Sequence, residues 1–139
     1  MLNKLNKNRG GFTLVEIMIV VAIIALLASV AVPSFLRARK RSQATAVKND
    51  LRLIDAAVDQ YAIENNKAAG AQPTGADIEK YLKTGTRLQQ AAKNGPLTDQ
   101  LGSTILIPTV DALPKIPAAT NTALSDVADA NFWAPYSVN

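Results

Sequence analysis

The chain of 139 residues contains neither cysteine nor histidine. Without cysteine it can form no disulfide, no thiolate metal site and no thiol nucleophile. Without histidine it lacks the usual general base, the commonest zinc ligand and every catalytic triad that depends on imidazole. We therefore predict that the protein is not an enzyme and that it has neither a cofactor nor a metal site.

Charge is scarce in one long segment near the N-terminus. Between residues 12 and 36 the only ionisable side chain is that of Glu16. Residues 17 to 36 are apolar except for Ser29, Pro33 and Ser34. A helix of 20 residues is about 30 Å long, which matches the hydrocarbon core of a bilayer. We predict one transmembrane helix at 12–36 in contact with the lipid bilayer, and we expect Pro33 to kink this helix or loosen one turn near its end.

The formal net charge of +4 arises around this segment. Lys or Arg occupies positions 4, 7 and 9 before it and positions 37, 39, 40 and 41 after it. Residues 42 to 139 carry 8 Lys and Arg against 10 Asp and Glu, a balance of 8 − 10 = −2. The excess positive charge would meet phospholipid headgroups, and it disfavours nucleic acid as a partner. Counting the α-amine, four positive groups lie on each side, so charge does not decide the membrane topology.

Residues 37 to 66 show an apolar stripe at helical spacing, which predicts an amphipathic continuation of the helix. The stripe consists of Val47, Leu51, Ile54, Val58 and Tyr61. Because Pro33 is the only Pro or Gly between residues 13 and 66, we predict one continuous helix whose second half packs on a small domain. Asn65, Asn66 and Gly70 are expected to end it.

The remaining residues, 67–139, predict a small globular domain of short elements. Six of the seven prolines and four of the seven glycines follow Gly70. Thr74 and Asp77 resemble a capping box that opens a helix with Ile78, Tyr81 and Leu82 inward, ending near Gly85. Turns are expected at 94–96 and 99–102, a strand at 104–107, and one or two helical turns at 123–128.

The chain closes with an aromatic cluster, Phe132-Trp133-Ala134-Pro135-Tyr136, which we expect to fill the core. Pro108, Pro114 and Pro117 limit any sheet to short or edge strands. The predicted fold class is therefore α+β. It consists of a long N-terminal helix packed on a small domain with short helices and a small antiparallel sheet.

The residues alone leave two other interpretations of the apolar segment open. Ser29-Val30-Ala31 could serve as an ordinary signal-peptidase site and release a soluble secreted domain after Ala31. Glu16 inside the apolar region and the helical pattern across that cut disfavour such a site. A bitopic protein that is never processed is the third possibility.

The segment from Arg9 to Glu16, RGGFTLVE, followed by the apolar run, resembles the N-terminal signal of the type IV prepilins and pseudopilins. The resemblance covers about the first 60 residues. It rests on a short basic leader ending in Gly11, Phe12 as the first mature residue, a glutamate at the fifth mature place, and Pro33 near the end of the apolar helix.

The resemblance implies that residues 1–11 form a cleaved leader. A membrane prepilin peptidase would cut between Gly11 and Phe12 and methylate the α-amine of Phe12. Glu16 would pair with the N-terminal amine of a neighbouring subunit or of its own chain during filament assembly. The implied location is the bacterial inner membrane, with one span, the leader in the cytoplasm and the globular part in the periplasm or outside the cell.

The implied partners are other copies of the chain, minor pilins or pseudopilins, the peptidase and an inner-membrane assembly platform. Residues 99–103, Asp-Gln-Leu-Gly-Ser, resemble the Asp-x-x-Gly-Asn turn of the major pseudopilins of type II secretion. The calcium-binding acidic loop of those proteins has no counterpart here, since Asp126 and Asp129 are scattered. The cysteine-free chain also lacks the disulfide loop of many pilins. A pseudopilin is therefore favoured, with a type IV pilin for adhesion, motility or DNA uptake as the alternative.

Overall fold

A computed structural model describes residues 11–139. Residues 1–10 of the predicted leader lie outside the described part. The chain divides into two compact units, the first ending at Leu36 and the second comprising Arg37–Asn139. In the first unit every described residue is exposed.

Helix α1 extends over Leu14–Glu64, so the predicted continuous helix is confirmed. Its helical assignment is uninterrupted at Pro33. Among the described residues it is the one helix long and apolar enough to cross a membrane. Asn66 has a φ of 50° and Gly70 a φ of 82°, and these left-handed residues follow the end of the helix where the sequence predicted it.

The second unit has its core on the apolar stripe of α1. All five predicted stripe residues, Val47, Leu51, Ile54, Val58 and Tyr61, are buried. Short elements cover this face, and from them Ile78, Leu97, Ile105, Ile116 and Trp133 are nearly or fully buried. The amphipathic helix and its packing role are therefore as predicted.

Four short helices follow α1. They are α2 (Gly75–Ile78), α3 (Arg87–Asn94), α4 (Ala118–Leu124) and α5 (Ala130–Trp133), and a 3-10 turn at Glu79–Tyr81 extends α2. The capping interaction at Thr74 is present, because Asp77 Oδ2 accepts from the Thr74 amide at 2.8 Å and from its hydroxyl at 2.6 Å. The helix that it opens nevertheless ends before Gly85, at Tyr81.

Helix α3 was not predicted, although the sequence contains its signals. The Thr86 hydroxyl caps α3 by accepting from the Gln89 amide, and Gly95 follows its last residue. The predicted helical turns at 123–128 correspond only to the end of α4, which begins earlier, directly after Pro117. Proline is favourable at a helix start because its missing N–H has no partner there to lose.

The predicted small antiparallel sheet is not confirmed, since no strand is assigned between residues 11 and 139. Two isolated bridges stand in its place, antiparallel between Thr98 and Thr104 and parallel between Ile116 and Val138. Ile105 still donates to the Leu97 carbonyl at 2.8 Å. Pro108 follows Ile107 directly and has no backbone donor, so no strand could continue through it.

Candidate functional site: the N-terminal assembly segment

Gly11 and Phe12 form an open approach to the start of α1. Both residues are exposed, Phe12 by 84%, and among the described residues no atom other than those of the chain neighbours lies within 4 Å of where a Cβ on Gly11 would be. Within the part of the chain that the structure describes, the backbone at the predicted cut is therefore open. Cleavage at this bond and methylation of Phe12 remain predictions.

Glu16 lies in the first turn of α1 and interacts with Thr13. Its Oε2 accepts from the Thr13 amide and from the Thr13 hydroxyl, both at 2.8 Å, while the Glu16 amide donates to the Thr13 hydroxyl at 3.2 Å. This is a capping box, in which side chains satisfy amides at the helix start. The sequence contains the signal of this capping box, a Thr followed three residues later by a Glu, although the box was not predicted.

A carboxylate near a helix N-terminus is also favoured by the helix dipole. Within residues 11–139 Glu16 makes no ion pair. The capping box satisfies part of its hydrogen-bonding capacity, but a full negative charge in an apolar segment still favours a cationic partner. The predicted pairing of Glu16 with an α-amine is compatible with this geometry and stays a prediction.

The rest of the segment offers a continuous apolar surface. Large side chains from Leu14 to Leu36 are exposed, several of them by more than 60%. Ser29 is compatible with this apolar surface, because its hydroxyl is satisfied by donating to the Leu26 carbonyl at 2.7 Å. An apolar helix of this kind is stable only in lipid or against other apolar helices.

The turn at residues 99–103 is well defined in the second unit. Asp99 is 3% exposed, and its Oδ1 accepts from the amides of Leu101 and Ser103, each at 2.9 Å. Its Oδ2 accepts from the Thr120 hydroxyl, and Gly102 adopts a φ of 87°. Asp and Gly are therefore required by the geometry of the turn, whereas position 103 contributes only backbone groups to these bonds.

Asp126 and Asp129 have separate structural partners. Lys40 donates to both oxygens of Asp126 at 3.0 Å, and this hydrogen bond lowers the pKa of the Asp126 carboxyl. Asp129 caps α5 by accepting from the Phe132 amide at 2.8 Å. Among residues 11–139 there is no group of three or more acidic side chains that could hold a metal ion.

Comparison with known proteins identifies the type of N-terminal motif in this segment. Residues 6–32 match the model of the prokaryotic N-terminal methylation motif. The N-terminal part of the chain thus carries a prepilin-type methylation motif.

Curated relatives extend the likeness beyond the motif. The type IV major pilin PilA of Myxococcus xanthus is 34% identical over 65% of this chain and 41% of its own length. The type IV wide pilus major component PilA4 of Thermus thermophilus is 44% identical over 48% of this chain and 50% of its own length. The type II secretion system core protein G of Pseudomonas aeruginosa is 39% identical over 42% of each chain.

The motif and these relatives together support a type IV pilin-like prepilin family for the chain. The matched part spans about half the length of these curated relatives or somewhat less. No solved structure matches the chain.

Proposed function

We propose that the chain is a structural subunit of a type IV pilin-like filament. The observation that carries this proposal is the exposed apolar part of α1, residues 14–36, which lies mostly within the prepilin motif and holds a single charge, Glu16, in its first turn. In a filament the apolar surface exchanges lipid for the same helix of other copies. Glu16 gains the methylated α-amine of Phe12 from a neighbouring copy as its partner.

In this proposal a prepilin peptidase removes the leader after Gly11 and methylates Phe12. Before assembly the subunit lies in the bacterial inner membrane, with its N-terminus on the cytoplasmic side and Arg37–Asn139 in the periplasm. An assembly platform then inserts it into the filament together with minor pilins or pseudopilins. The uninterrupted helix across Ala31 and Val32 supports this route over release by signal peptidase.

A pseudopilin of type II secretion is the favoured role, and the Asp99 turn is the observation that favours it. The resemblance rested on Asp99 and Gly102, of which Asp99 is buried and Gly102 has a left-handed backbone. The absence of cysteine points the same way. A type IV pilin is the second candidate, because curated relatives of both kinds share the N-terminal half.

Glu16→Ala and Glu16→Gln test the assembly role together. Glutamine retains an acceptor for the capping box with Thr13 but carries no charge. We expect both variants to be inserted and cleaved normally and to lose at least 90% of filament assembly, measured by shearing filaments from cells. Normal assembly of the glutamine variant would assign Glu16 to helix capping alone.

Processing is tested on the same cells by sequencing the mature N-terminus. We expect N-methyl-Phe12 in the parent chain and an intact leader after Gly11→Leu. A mature chain beginning at Val32 would establish the secreted domain instead and overturn the filament proposal.

A further inference from the structure

The last residue of α3, Asn94, is the only asparagine of the chain that is followed by glycine. The side-chain amide of an asparagine can be attacked by the backbone nitrogen of the next residue. Glycine permits this approach best, because it has no Cβ to hinder it. The attack converts asparagine to aspartate or isoaspartate, so the pair Asn94 and Gly95 is a candidate site of covalent modification.

The side chain of Asn94 is unrestrained in the part of the chain that the structure describes. Asn94 and Gly95 are both exposed. The side-chain hydrogen bonds that α3 donates come from Arg87 and Gln89, and Asn94 makes none within residues 11–139. The Asn94 side chain can therefore rotate among its rotamers, including those that bring its carbonyl carbon toward the nitrogen of Gly95.

A single backbone hydrogen bond holds the attacking nitrogen. The Gly95 amide donates to the Ala91 carbonyl at 2.9 Å, which is the last bond of α3. Helix ends fray, so a terminal bond of this kind opens without unfolding of the rest of the domain. Among the described residues, no atom other than those of the chain neighbours lies within 4 Å of where a Cβ on Gly95 would be. The loop therefore has room for the rearrangement.

The other asparagines between residues 37 and 138 lack this combination. Asn65 is exposed, but its side chain donates to the Tyr61 carbonyl at 2.9 Å and to the Tyr81 hydroxyl at 3.3 Å. Asn65 and Asn66 are each followed by a residue whose Cβ hinders attack by its amide. The remaining three lie within helices and are also followed by residues with a side chain: Asn49, Asn121 and Asn131.

We propose that Asn94 is a site of spontaneous deamidation in the folded protein. The Gly95 nitrogen forms a bond to Cγ of Asn94, the bond from Cγ to Nδ2 breaks, and Nδ2 leaves as ammonia with the proton that the Gly95 amide loses. Water then opens the resulting cyclic imide at either carbonyl carbon, which yields aspartate or isoaspartate at position 94. Solvent water is the only co-reactant, and nothing is oxidised or reduced.

Either product weakens the end of α3. A carboxylate at a helix C-terminus is repelled by the partial negative charge of the last carbonyl groups. Isoaspartate also places an extra backbone carbon between Ala92 and Leu97, which are both buried. Because the Ala92 carbonyl lies directly against Gly75, the modification loosens the contact of α3 with α2.

The test incubates the purified full chain in detergent micelles at neutral and at mildly alkaline pH. Mass spectrometry of the peptide that contains position 94 measures conversion, and an isoaspartate-specific methyltransferase detects the isoaspartate product. We expect conversion at Asn94 to be at least about tenfold faster than at any other asparagine between residues 37 and 138. It should rise with pH, because the deprotonated nitrogen is the nucleophile. Conversion in the urea-denatured chain with none in the folded chain overturns the proposal.

Gly95→Ala and Asn94→Gln test the chemistry of the site. Alanine at position 95 hinders the attack without meeting other atoms, so conversion at Asn94 should fall at least about tenfold while the circular dichroism spectrum is unchanged. Glutamine closes the corresponding larger ring far more slowly, so no conversion is expected at position 94. Unchanged conversion after Gly95→Ala would rule out attack by the Gly95 nitrogen.

Asn94→Asp supplies the charge of the product directly and tests its effect on α3. We expect its thermal midpoint to lie about 2–5 °C below that of the parent, and that of Asn94→Gln to stay within about 1 °C. Equal midpoints for Asn94→Asp and the parent would refute the predicted weakening of the helix end.

Discussion

Single buried polar residues hold the loops of the second unit onto α1. Arg87 donates to the Asp50 carboxylate and to the Thr98 carbonyl, which ties α3 and the loop after it to the long helix. Burial raises the pKa of Asp50, while the charge of Arg87 acts in the opposite direction. The sequence gives no indication of this pair, because one Asp among the polar residues of an amphipathic helix has the pattern of a solvated residue.

Asp99→Ala is expected to be among the most destabilising changes in the domain. It leaves two amides and the Thr120 hydroxyl without their acceptor in a buried site, which should cost about 2–4 kcal/mol in the free energy of unfolding. Asp99→Asn retains one acceptor oxygen and should cost clearly less. Urea unfolding followed by circular dichroism measures both, and equal stability of the alanine variant and the parent would contradict the assignment.

Elements differ in how far periodicity predicts them. Helix α1 was predicted almost to its last residue because its apolar residues recur over many turns, and its five-residue stripe is buried as expected. The shorter elements were predicted less well. Helix α3 has only Leu88 and Ala92 as buried residues, too few to establish a period, and the expected strand at 104–107 is reduced to one bridge.

Gly75→Ala should destabilise the contact between α2 and α3. A Cβ on Gly75 would lie 2.5 Å from the Ala92 carbonyl oxygen, and both are backbone-anchored, so the helices must separate. We expect a loss of about 1–3 kcal/mol in the free energy of unfolding.

The matched control for this change is Gly95→Ala, next to the end of α3, where an added Cβ meets no atom within 4 Å. Its stability should stay within about 0.5 kcal/mol of the parent. A similar loss in both variants would show that helix ends, and not the close approach, set the cost.

On the scale of the whole molecule, the apolar segment and the folded unit differ in how far the sequence predicts them. The apolar run and its flanking motif were recognised from the sequence because they form one uninterrupted pattern. The capping box between Thr13 and Glu16 was not predicted, although Thr followed three residues later by Glu is its sequence signal. The burial of Asp50 and Asp99 depends on contacts between distant parts of the chain, which local patterns do not contain.

Residues 37–139 should fold without the apolar segment. Within the described residues, all members of the hydrophobic core lie between Ala44 and Tyr136, so removal of the chain before Arg37 takes away none of them. We expect a soluble protein that unfolds cooperatively on heating, measured by circular dichroism at 222 nm. A broad, non-cooperative transition would show that the folded unit needs the segment before Arg37.

Trp133 gives the molecule an optical probe of its own packing. It is the only tryptophan, it is 1% exposed, and its ring meets Phe132 edge to face at 5.1 Å. Phe132 in turn contacts Lys48 of α1, so the indole lies where the end of the chain packs on the long helix. Its fluorescence, emitted at shorter wavelength from a dry site than from water, therefore reports on that junction in the purified protein without any label.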